Sequence, residues 1–351
     1  MNSSLKSINE VERAISDFCR GLPVIITEGE QAYICVSVES DDNNKLPTLL
    51  LTGNRVKAAF GRDVDENDVI KVEGKSSDEI AIISGLKGNV APVEIDFSIE
   101  RGNKIYNASI VLAKLSERIP AVLIKRVEGD DIRAFSEEND MLVVSSKSLE
   151  NYEENIACNL EIINTAPLTL KYSRNAKISV FRCGSKEHYA IISGEPEKED
   201  APLVRIHSSC FTGDLLESLK CDCHDQLHES LKLIGDKSGV VLYLMQEGRG
   251  IGLANKLRAY SLQNEGMDTV DANEFLGFGD DERPYLLAAE MLKRLGIESV
   301  KLITNNPRKV KGLEECGIDV VDRVSLIISP HEHNDSYMGT KFSKLGHIGE
   351  K

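Results

Sequence analysis

The chain has 351 residues, 41% hydrophobic and 28% charged, a balance that suits a globular protein with room for two separate cores. A formal net charge of −15, from 57 acidic against 42 basic residues, excludes a general nucleic-acid or anionic-membrane surface. The longest purely apolar run, "VVLYLM" at 240–245, is far below a membrane span, and "MNSSLKSINEVERAI" has no apolar signal core, so a cytoplasmic location without membrane partners is expected.

In chain order, "INEVERAISDFCR" (8–20) carries apolar positions at helical spacing, and "GLPVIITEG" (21–29) is a strand bounded by Gly and Pro. Strands are expected at "YICVSVES" (33–40), "LPTLLLTG" (46–53), "EIAIISG" (79–85) and "VEIDFSI" (93–99). "NASIVLAKLSER" (107–118) predicts a helix, "IPAVLIKRV" (119–127) a strand, "DIRAFSEEND" (131–140) a short helix and "MLVVSS" (141–146) a strand. The pattern restarts after "SKSLENYEEN" (146–155) with hairpin-like strands over 168–193 and a solvated acidic turn, "GEPEKEDAP" (194–202). Beyond that turn strand–loop–helix units recur: "GVVLYLMQ" before "EGRGIGLANKLRAYSLQN", and "SVKLIT" before "NNPRKVKGLEECG". The expectation is an α/β protein of two mixed α/β domains, 1–160 and 161–351.

Of the eight cysteines, Cys19, Cys35 and Cys158 stand apart and read as core filling. Cys210, Cys221 and Cys223 crowd into "CFTGDLLESLKCDC" (210–223), with "TGD" supplying the turn that brings the segment back. Thiolates with ten residues and then one between them can close on a single Zn²⁺. Three protein ligands leave the fourth tetrahedral position to water, as in catalytic zinc sites, where that water ionises near neutral pH. Spacing alone leaves two other readings open: a closed structural site with His207, His224 or His228 as fourth ligand, or three unrelated thiols.

"QEGRGIGL" (246–253) is a glycine-containing loop between strand and helix, where backbone N–H groups and Arg249 can meet phosphate; it lacks the Gly-Lys-Ser/Thr of a Walker A loop. In "TNNPRK" (304–309) Asn306 can cap a helix, Pro307 suits its first position, and Arg308 and Lys309 add charge at an anion-friendly helix start. Ordinary loop–helix punctuation explains either loop equally well when taken alone. "DDERPY" (280–285) in isolation reads as a surface ion pair of Asp281 with Arg283, and "HEH" (331–333) as solvated surface.

Taken together these segments resemble GTP cyclohydrolase II, the enzyme opening riboflavin biosynthesis, over roughly residues 165–349. The resemblance rests on "RIHSSCFTGDLLESLKCDC" (205–223), "LYLMQEGRGIGLANKLRAYSLQNEGMDTVDAN" (242–273), "LGFGDDERPY" (276–285), "LITNNPRKVKGLEECGIDVVDRV" (302–324) and "YMGTKFSKLGHI" (337–348). It implies a catalytic zinc on Cys210, Cys221 and Cys223. It implies GTP contacts from Arg205, Ile206, His207, Ser208 and Ser209, from Gln226, from Glu247, Gly248 and Arg249, and from Thr269, Thr304 and Lys309. Asp281 would be the proton acceptor, Arg283 the residue assigned as nucleophile toward the α-phosphate, and Tyr260 a further residue lining the site. A guanidinium stays protonated to very high pH, so a fixed cation that stabilises transferred phosphoryl charge is the conservative role for Arg283. The implied products are formate, pyrophosphate and a diaminopyrimidinone ribosyl phosphate, with Mg²⁺ on the phosphates and a homodimer as the assembly. Two departures are Ser209, where the family commonly has Glu, and His224, where Gly is usual; neither removes a zinc ligand.

Residues 8–150 resemble a worn 3,4-dihydroxy-2-butanone-4-phosphate synthase, a domain often fused ahead of this cyclohydrolase. "INEVERAISDFCRGLPVIITEG" (8–29) fits its opening and "IPAVLIKRVEGDDIRAFSEENDMLVVSSKSL" (119–149) its closing segment. Its acidic metal-binding loop is replaced by "TEGEQAY" (27–33), its His-Thr-Glu by Ile105, Tyr106 and Asn107, and a later Glu by Arg126. Losing the acids and the histidine together removes metal ligation and proton transfer, so a folded, non-catalytic domain is expected. The competing functions are an enzyme that also makes the butanone phosphate, a cyclohydrolase that stops at the ring-opened formamide, and a non-enzymatic zinc and GTP-binding regulator.

Overall fold

The computed structural model describes residues 3–40, 46–87, 95–129 and 131–326. The first stretch of chain folds as α1 (Ser3–Cys19), β1 (Val24–Glu28), β2 (Gln31–Ser37), β3 (Thr48–Thr52), α2 (Gly53–Phe60), β4 (Val69–Glu73) and α3 (Ser77–Ile83). It continues as β5 (Ser98–Glu100), α4 (Lys104–Leu115), β6 (Ala121–Arg126), α5 (Ile132–Glu138), β7 (Leu142–Ser145) and α6 (Ser146–Glu150). Then follow α7 (Tyr152–Cys158), β8 (Glu161–Leu168), β9 (Ala176–Cys183), β10 (Lys186–Ser193), β11 (Leu203–Ser208), α8 (Cys223–Asp236) and β12 (Gly239–Leu244). The last elements are α9 (Leu253–Asn264), α10 (Thr269–Phe275), α11 (Leu286–Arg294), β13 (Ser299–Ile303), α12 (Pro307–Glu315) and β14 (Asp319–Val324).

These elements form two compact units, one of residues 1–152 with 250–282 and one of 153–249 with 283–351. A single cut near residue 160 therefore does not separate them, because 250–282 folds with the first unit. The mixed α/β class holds in both. The first unit has a seven-stranded sheet in the order β5-β4-β3-β6-β2-β1-β7, antiparallel throughout except for the β1–β7 pair.

Side chains alternate across a strand, so an unbroken apolar run fits a sheet covered on both faces. In β3, Leu50 packs with α1 and α4 residues such as Phe18, Ile105 and Leu112, while Leu49 and Leu51 join the opposite core of Ile70, Ile80 and Ile83. Of the segment 79–85, expected as a strand, residues 79–83 are instead the C-terminal part of α3, with Ser84 as its C-cap. Ser76 and Glu79 form a capping box, each side chain bonding the other's backbone N–H, and that start signal overrides the strand-like composition. Of the expected strand at 93–99, the described residues 95–99 contribute Ser98 and Ile99 to β5.

The helices of 250–282 are bound into the first unit by apolar and polar contacts. Ile251, Leu262, Phe275, Leu276 and Phe278 share a cluster that Ala59 of α2 packs against. Thr52 Oγ1 donates to the Gly277 carbonyl at 2.7 Å, and Asn54 Nδ2 to that of Phe278 at 3.1 Å. Glu39 accepts from Arg118 at 3.2 Å and from Arg258 at 2.9 Å.

The second unit also has a seven-stranded sheet, ordered β14-β13-β11-β12-β10-β9-β8. Strands β14, β13, β11 and β12 run parallel, and the other pairs are antiparallel. From β11 the chain passes to β12 on one side and later to β13 on the other. Such a reversal opens a crevice beyond the carboxyl ends of the strands, where α/β sheets place ligands.

Candidate metal centre and nucleotide loops

Three adjacent parallel strands send their carboxyl-end loops to this crevice. β11 runs into Ser209 and Cys210, β12 into the 247–249 loop, and β13 into Thr304 and the start of α12. Arg205 and His207 lie two residues apart on β11 and are both buried. The Phe211 N–H donates to the Glu247 carboxylate at 2.6 Å, which ties the first loop to the second.

The sulfurs of Cys210, Cys221 and Cys223 lie within 4.8 Å of one another. Cys210 Sγ and Cys221 Sγ are 3.7 Å apart, and the Gly213 N–H donates to Cys210 Sγ at 3.3 Å. "TGD" forms one π-helical turn, Phe211–Leu215, whose Gly213 faces the sulfurs. A Cβ at Gly213 would stand 2.9 Å from Cys221 Sγ and 3.0 Å from Cys210 Sγ, so the absent side chain keeps the cradle open. The hydrogen bond to the Cys210 sulfur, together with burial, pushes the Cys221 thiol up to about 11, and Cys210, Cys221 and burial raise Cys223 well above its ordinary value. Three thiols this close cannot all ionise unless a cation neutralises them, which is the donor set of a soft divalent metal. The cluster fits a metal ion.

Two buried polar links support the trio. On one side Asp214 accepts from the Cys210 N–H at 2.9 Å, from Tyr243 OH at 2.8 Å, and from His207 Nε2 at 3.1 Å to each oxygen. On the other, Asp222 accepts from Gln226 Nε2 at 2.7 Å, and Gln226 Oε1 accepts from the Arg205 guanidinium. Arg205 also donates to the Ile303 carbonyl at 3.0 Å. Burial lowers it to about 10, so it remains a cation at neutral pH. Its Nε is buried with no hydrogen-bond partner among the described residues.

The loops can meet an anion. Gly248 (φ 62°) and Arg249 (φ 64°) are both left-handed, a conformation that costs an L residue such as Arg249 about 1 kcal/mol. Asn306 caps α12 by accepting the Arg308 N–H at 2.9 Å, Pro307 opens the helix, and Thr304 Oγ1 accepts the Asn306 N–H at 3.0 Å. Lys309 is buried and donates to the Ile206 carbonyl at 3.0 Å. Arg283 donates to Ser208 Oγ at 3.3 Å. Ser209 is buried, its N–H bonded to the Leu244 carbonyl at 2.8 Å.

The second unit thus gathers Cys210, Cys221, Cys223, Arg205 to Ser209, Gln226, Glu247 to Arg249, Arg283, Thr304 and Lys309. The three remaining sequence candidates belong to the first unit: Tyr260 on α9, under the Lys256 ammonium; Thr269 at the start of α10; and Asp281 in the loop after it. Sequence reading passed over Asp214, Asp222 and Tyr243. Asp214 looked like a turn residue, and nothing in a strand-forming Tyr advertises a bond to a loop 29 positions away. The "HEH" stretch and the 337–348 tail lie outside the described residues.

The second unit is an α/β layer with a thiol metal cradle beside cationic and helix-capping loops at its strand ends. Residues 161–325 match the family GTP cyclohydrolase II. The chain is 46% identical over 246 residues to "GTP cyclohydrolase-2" of Azospirillum brasilense, covering 69% of this chain and 64% of the relative. It is 42% identical over 255 residues to "Riboflavin biosynthesis protein RibBA" of Endomicrobium trichonymphae, covering 70% and 63%. The match therefore spans less than two thirds of these relatives' length. A solved two-domain 3,4-dihydroxy-2-butanone 4-phosphate synthase from A. baumannii aligns over 91% of this chain and 99% of that one, at 17% identity and a TM-score of 0.33.

Proposed function

We propose that the protein is a zinc-dependent GTP cyclohydrolase II of riboflavin biosynthesis. It would hydrolyse GTP to 2,5-diamino-6-(ribosylamino)-4(3H)-pyrimidinone 5'-phosphate with release of formate and pyrophosphate. The observation that carries this reading is the open thiol cradle of Cys210, Cys221 and Cys223 within the segment that matches that family. A zinc ion held there by Cys210, Cys221 and Cys223 would supply Lewis acidity for opening the guanine imidazole ring and would lower the pKa of water towards neutrality.

The chain's own residues bind and orient the substrate. Arg205, Arg249, Arg283, Arg308 and Lys309 supply the local positive field that a net charge of −15 otherwise denies a triphosphate with its Mg²⁺. The positive end of the α12 dipole favours phosphate oxygens. An acceptor on the nucleotide would satisfy the orphaned Arg205 Nε–H. Arg283 acts as a fixed cation on phosphoryl charge, restrained through Ser208. Asp281 and Tyr260 are assigned the proton transfers by resemblance, Asp281 as acceptor. A cytoplasmic homodimer completes the reading.

The synthase-like domain of residues 1–160 is proposed to be non-catalytic. Where a butanone phosphate synthase carries His and Thr, Ile105 is 1% and Tyr106 7% exposed, both in the apolar core with no role left for a sugar phosphate. Conversion of ribulose 5-phosphate by the purified protein would refute this.

The deciding assay incubates the protein with GTP and Mg²⁺ and follows formate, pyrophosphate and diaminopyrimidine absorbance. Cys221→Ser is expected to lose zinc and ring opening together, and Arg283→Ala to keep zinc but not turn over. Normal turnover by the cysteine variant would overturn the zinc assignment. GTP binding without any product would favour a regulator.

A further inference from the structure

The metal cradle is assembled from two limbs of chain, and something must hold the Cys210 limb against the sheet. Only 10 residues lie between Cys210 and Cys221, and the intervening loop exposes Phe211, Leu215, Leu216 and Leu219. The limb's apolar side chains therefore do not anchor it. Asp214 does the opposite of its neighbours, turning inward with its side chain only 7% exposed.

An isolated buried carboxylate is costly, and this one is fully provided with donors. Tyr243 OH and the Cys210 N–H reach Oδ2 at 2.8 Å and 2.9 Å, and His207 Nε2 sits 3.1 Å from both oxygens. Those donors come from two sources. His207 and Tyr243 face each other in register on the parallel strands β11 and β12, their rings stacked at 5.5 Å and 18°. The third donor is the backbone of the metal-binding cysteine itself. One carboxylate thus bridges the rigid sheet floor and the peptide unit that aims Cys210 Sγ.

We propose that Asp214 is a positioning residue for the metal centre: through His207 and Tyr243 it pins the Cys210 limb so that its thiolate meets those of Cys221 and Cys223. The inference rests on the zinc reading above. It also gives His207 a task distinct from touching substrate, because its Nε2 is committed to Asp214. Carboxylates that orient a ligating segment from behind the metal commonly change affinity ten- to a hundredfold when removed.

The test uses the full chain, purified and stripped of metal, with zinc affinity measured by competition against a chromophoric chelator. Cobalt is substituted in parallel, because its visible spectrum reports thiolate geometry. Asp214→Asn keeps the shape of the side chain but loses the charge. It is expected to weaken zinc about ten- to a hundredfold and to shift the cobalt spectrum, with the thermal midpoint of the metal-free protein little changed. Tyr243→Phe removes one donor without altering packing, and should move the same readouts in the same direction by a smaller factor. It decides the matter should Asp214→Asn not fold. Wild-type zinc affinity and an unchanged cobalt spectrum in the folded variants would overturn the role of Asp214 alone. Failure of the wild-type protein to take up one zinc, or full uptake by Cys221→Ser, would overturn the zinc reading and this inference with it.

Discussion

Arg55 and Phe275 are 220 positions apart in sequence, yet the guanidinium lies 4.2 Å from the centre of the Phe275 ring and donates to the Phe275 carbonyl at 2.5 Å. The same side chain donates to the carbonyls of Ile83 at 2.8 Å and Ile82 at 2.9 Å. One cation therefore closes the carboxyl ends of both α3 and α10, where the helix dipole favours positive charge. Burial lowers Arg55 to about 9, so the clasp stays charged at neutral pH.

Arg55→Met should take a donor from all three carbonyls, of which Ile82 keeps the Gly85 N–H at 3.2 Å, at a cost of about 3 kcal/mol. Because Phe275 belongs to the 250–282 segment, the loss should show there first. Amide hydrogen exchange over residues 269–278 is expected to quicken about a hundredfold, with the β11–β12 amides of the other unit unaffected. Uniform quickening across both sheets would contradict a local clasp.

How much of this was visible beforehand depends on the range of the interaction. The buried strands were legible because "LLL" (49–51) and "AVLI" (121–124) are apolar at every position, as a sheet covered on both faces requires. The cysteine trio was legible because its thiols are close in sequence as well as in space. The helix at 77–83 was misread because "EIAII" has strand composition, and the deciding Ser76–Glu79 pair lies at its edge. The allegiance of 250–282 was invisible, since Thr52, Asn54 and Arg55 look like ordinary helix-start residues more than two hundred positions upstream. Asp214 was invisible for the same reason at shorter range.

Gly213→Ala tests the cradle without touching a ligand. The new methyl would fall 2.9 Å from Cys221 Sγ and 3.0 Å from Cys210 Sγ, inside contact distance of both sulfurs. No left-handed backbone is involved, so the effect should be confined to the site. Zinc content after dialysis is expected to fall at least tenfold while the far-ultraviolet circular dichroism is retained. Stoichiometric zinc at unchanged affinity would mean that the sulfurs close on metal in another arrangement.

Arg249 separates backbone strain from substrate binding, because a left-handed φ of 64° suits glycine better than arginine. Arg249→Gly relieves that strain and Arg249→Ala keeps it, so the glycine variant should be the more stable of the two by about 1 kcal/mol. Both lack the guanidinium and should bind GTP at least tenfold more weakly by titration calorimetry. Wild-type affinity in Arg249→Gly would show that the loop backbone alone recognises the phosphates.

His188 gives the second unit a built-in acid sensitivity. It is buried on β10, its Nδ1 accepts the Met245 N–H at 3.1 Å, and burial lowers its pKa from 6.5 to about 4. Between about pH 6.5 and pH 4 the unfolded chain binds a proton at this position and the native chain does not. Stability therefore falls as pH drops through that window, by up to about 3 kcal/mol in all. His188→Gln retains a side-chain acceptor for the Met245 N–H but cannot titrate. In urea unfolding of metal-free protein, the wild type should lose about 2 kcal/mol more than the variant between pH 7 and pH 5. Equal losses in the two proteins would place the acid sensitivity elsewhere in the fold.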